Sequence, residues 1–203
     1  VIAGLKPLPA ATRRVLRVAA GIALAASALL VSWSTAGAWS TADGTVAMIP
    51  IDGCGDLMTA PSLAVDAAGN MYLAGSFNGA CDFDPGPGTA LLTATGDFDV
   101  YLVKLDSSGN YVWATRFGNE NTTIALSVAV DAAGNVVVAG YFTGSIDFDP
   151  ADGVMDLVPT SGTGGGFVAK FDSSGNHLWA HQMGTTWAHS VTVDGSGNVI
   201  TVG

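Results

Sequence analysis

The chain has 203 residues, 49% hydrophobic and 12% charged, a composition that can bury a core and argues against an unfolded polymer. Acids outnumber Lys and Arg 17 to 7 and the formal charge is -10. A surface so poor in cations does not suit nucleic acid, whose phosphates demand them.

The N-terminal stretch is the exception to that acidity. Lys6, Arg13, Arg14 and Arg17 are followed by the apolar run VAAGIALAASALLV at 18–31 and by the small-residue site Ala36-Gly37-Ala38, while all 17 acids come later. Basic, apolar and small in that order is the layout of a secretory signal peptide, so residues 1–38 are expected to direct export and to be cleaved after Ala38. The apolar run is shorter than the ~20 residues of a membrane-spanning helix, and an uncleaved anchor is the alternative. Thr12-Arg13-Arg14 also has the start of a twin-arginine signal, which leaves the export route open. The expected location is periplasmic, outer-surface or extracellular, with membrane contact only through the export signal.

Residues 39–60 form an N-terminal segment in which TVAMIPI (45–51) reads as one blade strand. Cys54 follows, and an exported chain would permit its pairing with Cys81, which the sequence leaves open.

From residue 61 the chain repeats. VDAAGNMYLAGSF at 65–77 returns as VDAAGNVVVAGYF at 130–142 and begins again as VDGSGNVI at 193–200. Beneath it runs a shorter signature, Asp-x-x-Gly-Asn, at 66–70, 106–110, 131–135, 172–176 and 194–198. Asp accepts hydrogen bonds from the backbone just ahead and Gly supplies positive φ, so each copy predicts a tight turn between two strands. The flanks (SLAV, MYLAGSF, VYLVKL, YVWATRF, SVAV, VVVAGYF, FVAKF, HLWAHQM) are rich in β-branched, aromatic and small apolar residues, and no helical period occurs after residue 38. VDAAGN alternates with LDSSGN or FDSSGN, so two hairpins make one unit of four antiparallel strands, the signature of a β-propeller blade. The assignment is all-β: repeat 1 at 61–125, repeat 2 at 126–188, and the start of repeat 3 at 189–203. Propellers close with about four to eight blades, so about two and a half units are expected to be a fragment of a larger array.

V-D-x-x-G-N-x-Y/V-x-A-G-x-F, then D-F-D-P, then K-x-D-S-S-G-N-x-x-W-A resembles the SBBP family of bacterial β-propeller repeats. The first hairpin alone is also similar to NHL-type propeller repeats. The resemblance implies an exported or surface propeller and brings no catalytic residues with it.

Candidate chemistry is sparse. Asp82 and Asp84 in DFDP, and Asp147 and Asp149 in its second copy, put two carboxylates on one side of an extended chain with Phe turned away. Hard cations want several oxygens, so these four residues are the candidate calcium ligands, with Asp97, Asp99 or Asp152 able to add to them. The EF-hand pattern fails, because Ala151 stands at its fifth place; solvated acids that shape the turn before Pro are the alternative. His177 and His181 lie four apart and His189 follows, but no Cys or carboxylate completes a zinc set. No G-x-S-x-G elbow occurs, and the Gly-rich SGTGGGF at 161–167 lacks the Lys of a phosphate loop and reads as a flexible connection. Trp113 and Trp179 hold matching places and are expected to pack between blades, with sugar stacking as the alternative. Asn121-Thr122-Thr123 fits a glycosylation acceptor.

The expected function is that of a non-catalytic binding or structural module, with loops at the blade ends holding an extracellular protein or glycan. An accessory propeller of a secreted enzyme and a calcium-dependent adhesion protein are the rivals.

Overall fold

The computed structural model describes residues 61–149, 157–159 and 164–203. The expected export signal, the strand expected at 45–51, Cys54 and Asp152 lie outside the described residues. Twelve strands follow one another among the described residues: β1 (Ser62–Val65), β2 (Met71–Phe77), β3 (Ala80–Asp82), β4 (Leu91–Thr93), β5 (Asp99–Leu105), β6 (Tyr111–Phe117), β7 (Thr123–Val130), β8 (Val136–Thr143), β9 (Gly164–Phe171), β10 (His177–Gln182), β11 (Ser190–Val193) and β12 (Val199–Val202).

All five Asp-x-x-Gly-Asn copies fold in the same way. Each Asp Oδ1 accepts the backbone N–H of the residues two and four ahead, and Oδ2 accepts the Asn side-chain amide, at 2.8 to 2.9 Å. The Gly is left-handed in every case, with φ between 80° and 86°. These turns join β1 to β2, β5 to β6, β7 to β8, β9 to β10 and β11 to β12.

The resulting sheets are antiparallel. The first is ordered β1-β2-β5-β6, the second β7-β8-β9-β10, and β11-β12 begins a third. These are propeller-type blades of four strands. Between the second and third strands of the first blade lies the small hairpin β3-β4, in which Cys81 faces Leu92. Among the described residues the second blade has a bridge between Ile146 and Leu157, the positions 65 residues beyond Cys81 and Leu92.

Alternation along the strands gives each blade two apolar faces. Tyr72, Ala74, Val100, Leu102 and Phe117 of the first blade share a core with Val136, Val138, Phe142, Phe167 and Phe171 of the second. The opposite face of the first blade gathers Met71, Leu73, Phe77, Tyr101, Val103 and Leu105 with Cys81 and Phe83 from the β3 region. Cys81 is fully buried and disulfide-bonded. Gly75 makes room there for Tyr101, since a Cβ would stand 2.5 Å from its hydroxyl, and burial pushes that phenol up to about 12.

Neighbouring blades are also joined by one repeated hydrogen bond. Ser62 Oγ accepts the N–H of Val128, and Ser127 Oγ, its counterpart, accepts the N–H of Val191, both at 3.1 Å. Trp113 packs between blades as expected: its ring lies against Gly175 and its Nε1–H donates to the Ser173 carbonyl at 3.2 Å.

One expectation is corrected. Gly164, Gly165 and Gly166 begin β9 and are not a flexible connection. They are glycines because other backbone crosses them: a Cβ at Gly165 would strike the Gly184 carbonyl, and one at Gly166 the Thr186 carbonyl.

Candidate functional site

The two DFDP segments are built around their Phe. Phe148 lies 5.1 Å from Phe117 and 5.3 Å from Phe167, and Phe83 lies 5.3 Å from Phe77 and 4.7 Å from Tyr101. With the ring anchored, the preceding Asp closes the turn. Asp82 Oδ1 accepts the N–H of Asp84 and of Ala90, and Asp147 Oδ1 accepts the N–H of Asp149 at 2.9 Å. Asp84 Oδ1 accepts the N–H of Gly86 at 2.7 Å and borders a shallow cleft of about 360 Å³ with Gly109, Asn110 and Tyr111. The structure keeps the two acid pairs in different blades. Among the described residues no group of three or more His, Cys, Asp or Glu side chains is placed to hold a metal. His177 stacks on Phe148, His181 lies beside Trp179, and His189 beside Trp187.

A second cleft, about 520 Å³, opens where the first two blades meet. Thr95, Arg116 and Gly118 come from the first blade side, Asn119, Glu120 and Asn121 from the link between β6 and β7, and Ser145 and Asp147 from the second blade. Beside it lies an ion pair: Arg116 Nη1 stands 2.8 Å from Asp99 Oδ2, and the Asp99 side chain is fully buried. Asp99 Oδ2 also accepts the Thr95 N–H at 2.8 Å and the Thr95 hydroxyl at 3.1 Å. Asp99 Oδ1 is buried and has no hydrogen-bond donor.

The link that forms one wall is held from both sides. Asn119 donates its side-chain amide to the carbonyls of Thr143 and Ser145 in the second blade, and its Oδ1 accepts the N–H of Asn121 at 2.7 Å. The Asn121 carbonyl accepts the Asp97 N–H at 2.9 Å, and the Thr123 N–H donates to the Phe98 carbonyl at 2.8 Å. Such a wall is set before any ligand arrives, which lowers the ordering cost of binding.

Asp147 and Gly118 belong to the repeat, with Asp82 and Gly184 as their counterparts, but Asp99, Arg116 and the link residues 119–121 do not. Strand register makes Gly165 the counterpart of Asp99, since Phe77 faces one and Phe142 the other, and makes Gln182 the counterpart of Arg116. The connection from Gly118 to Ile124 is three residues longer than its counterpart from Gly184 to Trp187, so Asn119, Glu120 and Asn121 amount to an insertion. The acid-pair reading found only Asp147 of this cleft. Arg116 and the insertion were missed, although the unequal spacing of the turns (106 to 131 against 172 to 194) was the signal for the latter.

Elsewhere the electrostatics serve the turns. Asp131 Oδ2 pairs with Lys170 Nζ at 2.8 Å. Burial alone would raise its pKa, but Lys170 and the Asn135 side chain and N–H outweigh it and hold the carboxyl down to about 2. Asp66 is also held low: burial opposes the shift, and the Asn70 and Tyr72 hydrogen bonds overcome it. At Asp106, Asp172 and Asp194 the Asn amide of the turn is the main lowering cause.

Sequence comparison places these features beside known proteins. The chain is 31% identical over 153 residues to an uncharacterized WD repeat-containing protein of Acanthamoeba polyphaga mimivirus, a match spanning 70% of this chain and 11% of that protein. It is 30% identical over 110 residues to the regulatory protein FlaEY of Caulobacter vibrioides, over 53% of this chain and 11% of that protein. The chain thus spans about a tenth of the length of these relatives. No family model matches the sequence. A WD repeat-containing relative agrees with the propeller-type repeat seen in the sheets.

Proposed function

We propose that this chain is an exported, non-catalytic binding module of the bacterial β-propeller repeat type, acting at the cell surface or beyond it. The observation that carries the reading is the cleft at the junction of the first two blades. Arg116 and the inserted Asn119, Glu120 and Asn121 depart from the repeat, whereas Asp147, Gly118 and the strands, turns and serine clasps around them follow it. A scaffold needs the repeating residues; a site that breaks the pattern in a surface cleft is where a partner is held. The basic, apolar and small-residue layout of residues 1–38 supports export, and the motif resemblance supports the repeat type. The second reading is an accessory propeller of a secreted enzyme; that the chain spans about a tenth of its relatives' length supports only its being one segment of a larger protein.

Labelled protein beginning at Trp39 is to be bound to cell-envelope preparations beside a variant carrying Arg116→Gln and Asn119→Ala. Saturable binding lost in the variant is the expected result. Equal binding by both, or none by either, removes the cleft from this role. N-terminal sequencing of the protein recovered outside the cell checks export, with Trp39 expected as the first residue.

A further inference from the structure

We infer that the cleft takes a neutral, polyhydroxylated ligand: an oligosaccharide whose adjacent hydroxyls bridge Arg116 and the acidic wall. This rests on the binding-module reading above and narrows it to a ligand class.

The cleft mixes donors with acceptors, and no hydrophobic side chain lines it. Arg116, Asn121 and Ser145 can donate, while the exposed Glu120 accepts. A sugar hydroxyl does both and brings no charge to be desolvated. An anion would find the Arg116 charge already offset by Asp99 at 2.8 Å, with Glu120 and Asp147 opposing it. A hard cation would need several oxygens, and Asp147 Oδ1 already accepts the Asp149 N–H. With Nη1 committed to Asp99 and Thr95, Arg116 keeps further N–H groups for a ligand, held on a fixed stem.

The buried pair supplies the second, independent argument. A fully buried carboxylate with one oxygen lacking any donor costs stability. The second blade builds the same strands in the same register with Gly165 and Gln182 instead, so the fold does not need the pair. A costly pair that the scaffold can do without, placed where it fixes the one arginine of the cleft, is a positioning device for that arginine.

The test exchanges these residues for those of the second blade. Protein beginning at Trp39 is titrated by calorimetry with neutral, uronate-containing and amino-sugar oligosaccharides, alongside Asp99→Gly, Arg116→Gln and the rim variant Glu120→Ala. Neutral sugars are expected to bind. Arg116→Gln and Asp99→Gly should each weaken them at least tenfold with the melting temperature kept or raised, and Glu120→Ala, which has no packing role to lose, should weaken them several-fold. Binding confined to charged sugars overturns the ligand class but leaves the cleft as the binding site. So does an absence of sugar binding when envelope binding still responds to Arg116→Gln. Neutral sugars bound equally by all four proteins overturn the site itself. Unfolding of both Asp99→Gly and Arg116→Gln, with Glu120→Ala unaltered in binding, shows that the pair is a structural clamp and also overturns it.

Discussion

A single carboxylate in the Asp-x-x-Gly-Asn turn satisfies two backbone donors and one side-chain amide, and this was legible because the chemistry is local to five residues. Asp131 goes one step further, because Lys170 on β9 reaches it from outside the turn and leaves its side chain 9% exposed. Asp131→Asn should therefore lower stability by about 2 kcal/mol, as expected for hydrogen bonds to a charged group, and by more than the same change at Asp106. Urea denaturation measures both. Because the folded-state pKa of Asp131, about 2, lies below the ordinary value near ~3.9, its contribution is present above ~pH 4 and is lost as pH falls toward 2. The difference between wild type and Asp131→Asn should shrink over that window.

Strands and hairpins were legible because side-chain alternation and turn residues are short-range signals, and the pairing of two hairpins into one sheet followed from the repeat length. Side-chain partners across strands were not. Arg116 meets Asp99 only because Tyr101 faces Arg116 across β5 and β6, a register that the intervening turn and its irregularity set. The glycines of β9 were misread for the same reason: nothing near them in sequence shows that the link after β10 passes directly over them. Gly166→Val should consequently destabilise the chain by about 2 kcal/mol or more through overpacking, whereas the same change in a flexible linker would do little. Trp113→Ala should cost about 2 kcal/mol, at the low end of a large-to-small change because the ring is only half-buried. Thermal melts of the two variants check both figures.

At the scale of the whole molecule, the carboxylates of Asp82, Asp84 and Asp147 accept backbone N–H groups that close turns in two separate blades. Chelation by EDTA should accordingly leave the melting temperature of the purified chain unchanged. A fall that calcium restores would instead make Asp82, Asp84, Asp147 and Asp149 the ligands expected from the sequence. Blade-on-blade packing also makes a prediction about cooperativity. The first two blades share one core, so fluorescence and circular dichroism should report a single transition for them, and a second transition resolved within β1 to β10 would show that the shared core is weaker than the sheets.

The serine clasp has a consequence for how such a protein can change. Ser62 holds the strand 65 residues ahead of its own, and Ser127 holds the next by the same bond. The two described joints thus share one clasp, and the part of the array's energy that comes from it repeats from joint to joint. Duplication or loss of a whole unit in the gene would then cut and reseal the protein at matching joints. Length could drift between relatives while each surviving unit keeps its surroundings, and a cleft seated at one joint could be carried, intact, into arrays of different size.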